Sequence, residues 1–287
     1  MAYKKHRWIV PQGQELTPLD EKVLSFQKRG KLVPNRNLIL TPEQIDGIRE
    51  AGKVNTELLD RVQDMIKEGV NTLQIDELVA DFTAKHGGTC APFNYEGFPK
   101  HCCTSINDCV CHGIPKEEDV LENGDIINVD VTTIINGYYA DANRTFIVGG
   151  ETDPKWEKLV RVTKECLEAG IEAAQPWHFI NDIGNVIQSI CDKHHYGIVR
   201  DLCGHGVGLK FHEEPEVCHY RQKKEGMLIV PGMVFTIEPM INMGTYKVFI
   251  DADDPYGWEV YTEDGEPSAQ FEKTIVITEN GPEVITE

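Results

Sequence analysis

Seven side chains in this 287-residue sequence could do chemistry together. Asp130 and Asp141 flank Asn136-Gly137 in "GDIINVDVTTIINGYYADANRTF", and His112 ends "SINDCVCH". His205 and His212 stand seven residues apart in "GHGVGLKFHEEP". Glu238 and Glu272 each interrupt a run of β-formers, "GMVFTIEPMINM" and "SAQFEKTIVIT". A carboxylate inside a strand is costly to bury unless a cation or donor meets it. Taken singly, each of these acids has an ordinary place on a solvent face. Taken together, two aspartates, two glutamates and one imidazole make an oxygen-rich set, which suits Mn, Fe, Co or Zn better than a thiolate-seeking metal.

The aspartates have a definite positioning device. Asn-Gly between two β-rich runs predicts a tight hairpin. With Asn136-Gly137 as its loop, Ile135 pairs with Tyr138, Thr132 with Asp141 and Asp130 with Asn143. Strand side chains alternate faces, so Asp130 and Asp141 become diagonal neighbours on one face. Such a pair repels unless a cation lies between, and paired metals in hydrolases sit about 3.5–4 Å apart. The three glycines before His212 let that segment approach the cleft closely.

Helices must carry these strands. Thr41 caps a helix beginning at Pro42, with Glu43 and Gln44 in its first turn. A second helix is predicted from about Leu73 to Lys85. About a hundred residues on, "WEKLVRVTKECLEAGIEAAQ" and "HFINDIGNVIQSICDKHH" repeat the pair. Aligning Leu73-Gln74-Ile75-Asp76 with Phe179-Ile180-Asn181-Asp182 suggests two similar halves, each a helix pair followed by strands, with a site between them. Residues 1–40, holding Pro11, Pro18 and Pro34, read as an extension ahead of a domain spanning 41–287.

Composition excludes several classes. The length suffices for a large buried core. No apolar run reaches the roughly 18 residues of a spanning helix, and "MAYKKHRWIVPQGQ" lacks the apolar stretch of an export signal. Nine cysteines with no Cys-x-x-Cys spacing read as reduced, mostly buried thiols in a cytoplasmic protein. Net charge is −19. Residues 1–40 hold eight basic side chains, among them Lys4 and Lys5, and three acids, so they carry +5 against −24 for the rest. An acidic body repels DNA, whereas the basic arm could touch phosphate or cling to the surface. Apart from His112, His205 and His212, the other seven histidines read as surface or helix-end residues.

These motifs, in this order and spacing, resemble the type I methionine aminopeptidases. The resemblance covers about residues 41–287 and implies an α+β pita-bread fold, two pseudo-symmetric halves around a cleft. It implies two divalent ions (Co, Mn, Fe or Zn) on Asp130, Asp141, His205, Glu238 and Glu272, with Glu238 also the proton acceptor. His112 and His212 would bind the scissile amide, and Tyr95, Phe98, Cys103, Phe211 and Trp258 would line the methionine pocket. The substrates would be nascent polypeptide N-termini with a small second residue, this chain's own Met1-Ala2 start included. The chain is expected to be a cytoplasmic monomer that touches no membrane, with residues 1–40 meeting the ribosome. Phe98 stands where the family more often has tyrosine. Lys273, where it more often has histidine, sets a cation beside a metal ligand. His212 and Glu238 are 26 positions apart, too close for the helical insertion of type II. The extension lacks the Cys-rich zinc signature of eukaryotic type I enzymes and resembles the short extensions of some bacterial ones. The alternatives are a proline-directed aminopeptidase or prolidase on the same fold, and a non-catalytic relative that binds peptides.

Overall fold

A computed structural model describes residues 6–252 and 254–287. Lys4, Lys5 and the Met1-Ala2 start lie outside them. Five α-helices are present among these residues: α1 (Pro18–Lys28), α2 (Pro42–Met65), α3 (Thr72–Lys85), α4 (Pro154–Ala173) and α5 (Asn181–His194). None is long and apolar enough to cross a membrane.

The first half is organised by the hairpin. Ile126–Ile135 and Tyr138–Ile147 pair through all ten positions, in the register expected from the Asn-Gly loop. Asn136 and Gly137 both take positive φ (51° and 84°), which matches the turn to the twist of the strands. Two short strands, Cys103–Ile106 and Thr89–Cys90, complete an antiparallel sheet of four. Helix α2 starts with a capping box in which Thr41 and Gln44 satisfy each other's backbone N–H. It crosses the hairpin and is fastened there by buried Asn55, which donates to Val131 O (2.7 Å) and Ala140 O (3.0 Å). Leu58, Leu59 and Val62 of α2 and Ile75 and Val79 of α3 bury against Ile127, Val129 and Val131.

The second half repeats the plan. Helices α4 and α5 pack on an antiparallel sheet in the order Gly281–Val284, Lys273–Thr278, Val234–Ile237, Gly204–Gly206, Glu213–Val217. The repeat has a constant spacing. Gly69 N donates to Leu121 O, Leu121 N to Val70 O and Thr72 N to Asp119 O. Each bond recurs 108 residues on, as Trp177 to Ile229, Ile229 to His178 and Ile180 to Met227. Asn71 therefore corresponds to Phe179, and Gln74 to Asp182. Both of the latter reach back to the N–H three residues earlier. The sequence alignment of Asp76 with Asp182 was thus two residues out of phase. Motif similarity misled it, because cap chemistry can use either an amide or a carboxylate. Carried forward, the same spacing relates the strand starts Ile126 and Val234, and Asp130 to Glu238.

The extension is docked on the second half. Trp8, Val23 and Val33 join that half's core, and Trp8 is only 2% exposed. The Trp8 indole N–H donates to Asp20 Oδ1 at 2.8 Å. Burial raises the Asp20 carboxyl, but hydrogen bonds from Thr17 and Trp8 and the nearby Arg36 guanidinium outweigh it and hold it below its ordinary value. Leu228 N donates to Leu32 O (2.8 Å), and His6 Nε2 lies 3.3 Å from Glu214.

Candidate metal centre and its cavity

A cavity of about 300 Å³ opens between the two halves. Asp130, Asp141, His205, Glu238 and Glu272 all line it, with His112 and His212, and with Tyr95, Phe98, Cys103, Phe211 and Trp258. Every site residue read from the sequence therefore faces one space. The hairpin brings Asp130 and Asp141, and the short Gly204–Gly206 strand brings His205. Glu238 follows the Val234–Ile237 strand, and Glu272 precedes Lys273–Thr278. Gly206 is required where it stands, because a Cβ there would lie 2.0 Å from Glu214 O.

The polar atoms fit a cation. One ligand atom each from Asp141, His205 and Glu272 lie within 4.8 Å of one another. His205 Nδ1 is 3.0 Å from Gly206 O, which can only accept, so Nδ1 carries the proton and Nε2 offers its lone pair. That lone pair faces Asp141 Oδ2 at 3.7 Å and Glu238 Oε1 at 3.6 Å, so acceptors converge without a donor between them. Asp130 Oδ1 and Glu272 Oε1 are buried with no hydrogen-bond partner among the described residues. An oxygen-rich set with one imidazole, holding orphaned carboxylate atoms, is what hard or borderline divalent ions need.

The electrostatics agree. Burial pushes Asp141 up to about 7, against hydrogen bonds from Thr132 and the Ala142 N–H that pull it down. Burial and then the Asp141 charge push Glu238 up to about 8. Burial, with the neighbouring carboxylates, holds Asp130 and Glu272 well above the usual range. Burial lowers His205 to about 3 and His112 to about 4, helped in each case by His212, so both imidazoles are neutral at neutral pH.

Around the opening, Phe211 stacks on His212 (centroids 4.1 Å apart) and meets Tyr95 edge-on at 4.9 Å. Deeper, Phe98, Cys103 and Trp258 form one apolar cluster with Ile114, with Phe98 and Trp258 T-shaped at 5.5 Å. His112 also abuts Trp258.

Lys273, next to the candidate ligand Glu272, lines with it a second cavity that also holds Arg144, Lys164, Glu168 and Glu287. Burial and the Arg144 charge lower its pKa there. His219 is no surface imidazole, since it is 1% exposed and its Nε2 accepts the Glu238 N–H at 3.0 Å. Several supporting residues had also escaped notice. Thr236 donates to Glu238 Oε1 (2.8 Å), Gln270 to Glu238 Oε2 (3.2 Å), and Asn143 to Glu272 Oε2 (2.9 Å). Each lies two residues from a ligand on the same chain segment, so period-two alternation could have found all three. His219 had no such signal.

A profile of metallopeptidase family M24 matches residues 46–279. The chain belongs to that family. Methionine aminopeptidases are among its relatives. Methionine aminopeptidase A of Synechocystis is 48% identical over 248 residues, covering 86% of this chain and 96% of that protein. The crystal structure of methionine aminopeptidase from Rickettsia prowazekii superposes with a TM-score of 0.83 at 43% identity, covering 87% of this chain and 99% of that one. Methionine aminopeptidase 1 of Dictyostelium discoideum is 40% identical over 283 residues, covering 96% of this chain and 74% of that protein. This last match necessarily runs through most of the extension, of which the first two need include no more than a few residues. The M24 chain is thus a metal-dependent peptide hydrolase of the methionine aminopeptidase group, with the pita-bread fold.

Proposed function

We propose that the cavity removes the initiator methionine from newly made proteins whose second residue is small. The observation that carries this is the coincidence, in one space, of five converging metal-type ligands and an apolar pocket of rings and sulfur. Asp130, Asp141, His205, Glu238 and Glu272 would hold two divalent ions, whether Co, Mn, Fe or Zn. Bound there, such ions would lower the pKa of a bound water, anchor the free amine and polarise the scissile carbonyl. Glu238 takes the proton of the attacking water, oriented by Thr236, Gln270 and the His219-held backbone. His112, neutral beside Trp258, donates to the oxygen that gains negative charge. His212 pairs its Nδ1 with the Tyr95 hydroxyl at 3.0 Å, leaving Nε2–H to bind the substrate amide. Tyr95, Phe98, Cys103, Phe211 and Trp258 enclose the methionine side chain, whose thioether packs well against rings.

Residues 41–287 do the catalytic work in this reading, and the protein acts as a cytoplasmic monomer on nascent chains. The basic extension meets ribosomal RNA. Supporting this, Arg29 and Lys31 of the extension share a groove with Arg221, Lys223 and Lys224, against one acid, Glu225. Replacing Lys223 and Lys224 by Glu is expected to weaken ribosome binding at low salt. Unchanged binding removes that part of the reading.

The deciding experiment adds Mn, Fe(II), Co or Zn to chelated protein and follows Met-Ala-Ser beside an X-Pro tripeptide. Metal-dependent release of methionine alone, lost in Glu238→Gln, is the expected result. Cleavage of only the X-Pro peptide would overturn the substrate assignment, and cleavage of neither by metal-loaded protein would overturn catalysis.

A further inference from the structure

Gly204 and Val217 are partners on two antiparallel strands, so Cys203 and Cys218, one residue beyond them, face each other at the end of the ladder. Opposed residues in such a pair have Cα atoms about 4.5–5.5 Å apart. A disulfide spans Cα separations of about 4.4–6.8 Å. The two side chains are close enough for each to perturb the protonation of the other. Both residues are half-buried, whereas six of the other seven cysteines are buried. Cys203 lines the candidate active-site cavity, so a small solute entering there reaches it. Another close pair, Cys166 and Cys191, has its sulfurs 3.6 Å apart, but both residues are wholly buried between α4 and α5 and no solute meets them.

We propose that Cys203 and Cys218 form an oxidation site, a cross-strand dithiol that a hydroperoxide converts to a disulfide, loosening the metal centre. One sulfur attacks the peroxide, forming an S–O bond as the O–O bond breaks and the leaving oxygen takes a proton to become an alcohol or water. The second sulfur displaces that oxygen, forming the S–S bond, and the oxygen leaves as water with the remaining thiol proton. Two thiols and one hydroperoxide thus give one disulfide, one alcohol (or water) and one water.

The bridge draws the sulfurs to about 2.05 Å and tightens the strand ends that carry them. His205 lies two residues beyond Cys203. His219 follows Cys218 directly and accepts the Glu238 N–H at 3.0 Å. One movement therefore reaches two of the five proposed ligands. Outer contacts of this sort govern metal affinity by about 10–100-fold. This consequence rests on the metal-site reading above, whereas formation of the disulfide does not.

The test treats full-length protein, metal-free and Mn-loaded, with hydrogen peroxide. Intact mass, peptide mapping and Mn titration are then read before and after reduction. The expected result is a mass loss of two hydrogens, a linked Cys203–Cys218 peptide, and Mn binding weaker by about tenfold or more, all reversed by dithiothreitol. Cys218→Val should give no linked peptide and leave Mn binding unaltered by the same treatment, with Cys166 and Cys191 reduced throughout. Mapping that finds Cys203 and Cys218 unlinked in the wild type would overturn the site itself. A linked peptide with unchanged Mn affinity would overturn the coupling and leave the modification standing.

Discussion

The two halves share a plan but build their parts of the site differently. The first half presents Asp130 and Asp141 from one uninterrupted hairpin, ten residues a side, fixed by its own turn and by Asn55. The second assembles His205, Glu238 and Glu272 from three short strands of three, four and six residues, braced by Thr236, Gln270 and His219. At corresponding positions, 108 residues apart, stand Asp130 and Glu238. The first is half-buried with one buried oxygen unpartnered, while the second is hydrogen-bonded on both oxygens. A carboxylate left free suits metal ligation alone. One held on both sides can also take and return a proton in a fixed orientation.

The sharpest break of this comparison is the pair Glu238→Gln and Asp130→Asn. Glu238→Gln is expected to lower kcat by about 10²–10⁴-fold, the usual worth of a general base. Asp130→Asn should act chiefly through metal affinity, with its kcat largely restored at high Mn. Equal, metal-insensitive losses would show that the two positions share one role.

Next in size are the supporting hydroxyls. Thr132→Val removes the 2.7 Å bond to Asp141, and Thr236→Val removes bonds both to Glu238 and from the His205 N–H. Each should weaken metal binding within the range of about 10–100-fold, Thr236→Val the more. A calorimetric titration that ranks them the other way would locate the stiffer support in the first half.

A third prediction concerns pH in chelated protein. Asp141 and Glu238 are raised to about 7 and about 8 in the fold. The native state therefore holds protons there that the unfolded chain has already lost, and stability falls as pH rises. Below about 6.5 the buried neutral histidines work in the opposite sense, because the unfolded chain then binds the extra protons. Between about pH 6.5 and 8 the two carboxylates work against the Cys218 thiol, held at about 7 by Cys203, and outnumber it. The Tm of the chelated protein should drop across that window by about 2–4 °C per kcal/mol lost, and added Mn should flatten the drop. A metal-free Tm that climbs from pH 6.5 to 8 would contradict the buried carboxylate cluster. The smallest effect expected is that of Lys273→Met, with metal affinity within about twofold, because Arg144, Lys164, Glu168 and Glu287 already balance the charge around that ammonium. A larger shift, seen in the same titration, would mean that its charge is felt through the strand.

Much of the first half was legible because its geometry is local. Asn136-Gly137 sets the register, and register alone sets Asp130 beside Asp141. The ligands of the second half had to be gathered from residues 205 to 272, where polar residues inside β-runs suggest them and the resemblance of the whole motif set assigns their roles. The repeat was visible as helix pairs, yet its phase was missed, since caps accept amide or carboxylate alike and only the paired backbone bonds fix the spacing. His219 is beyond any periodic rule, since nothing in "EVCHYRQ" tells that this imidazole is buried against the Glu238 N–H. Trp8 was unreadable for a similar reason. An apolar residue in a proline-containing, basic stretch declares no partner until the second half supplies one.

Docking of Trp8 makes the first 40 residues part of what keeps the second half soluble. Removing them would uncover the flank of Met227 and Leu228, with the Trp177 and Phe179 rings beside it, and would break the Leu32–Leu228 bond. A trimmed protein would then present a sticky face with one unsatisfied amide, and would tend to self-associate before any loss of charge could be felt.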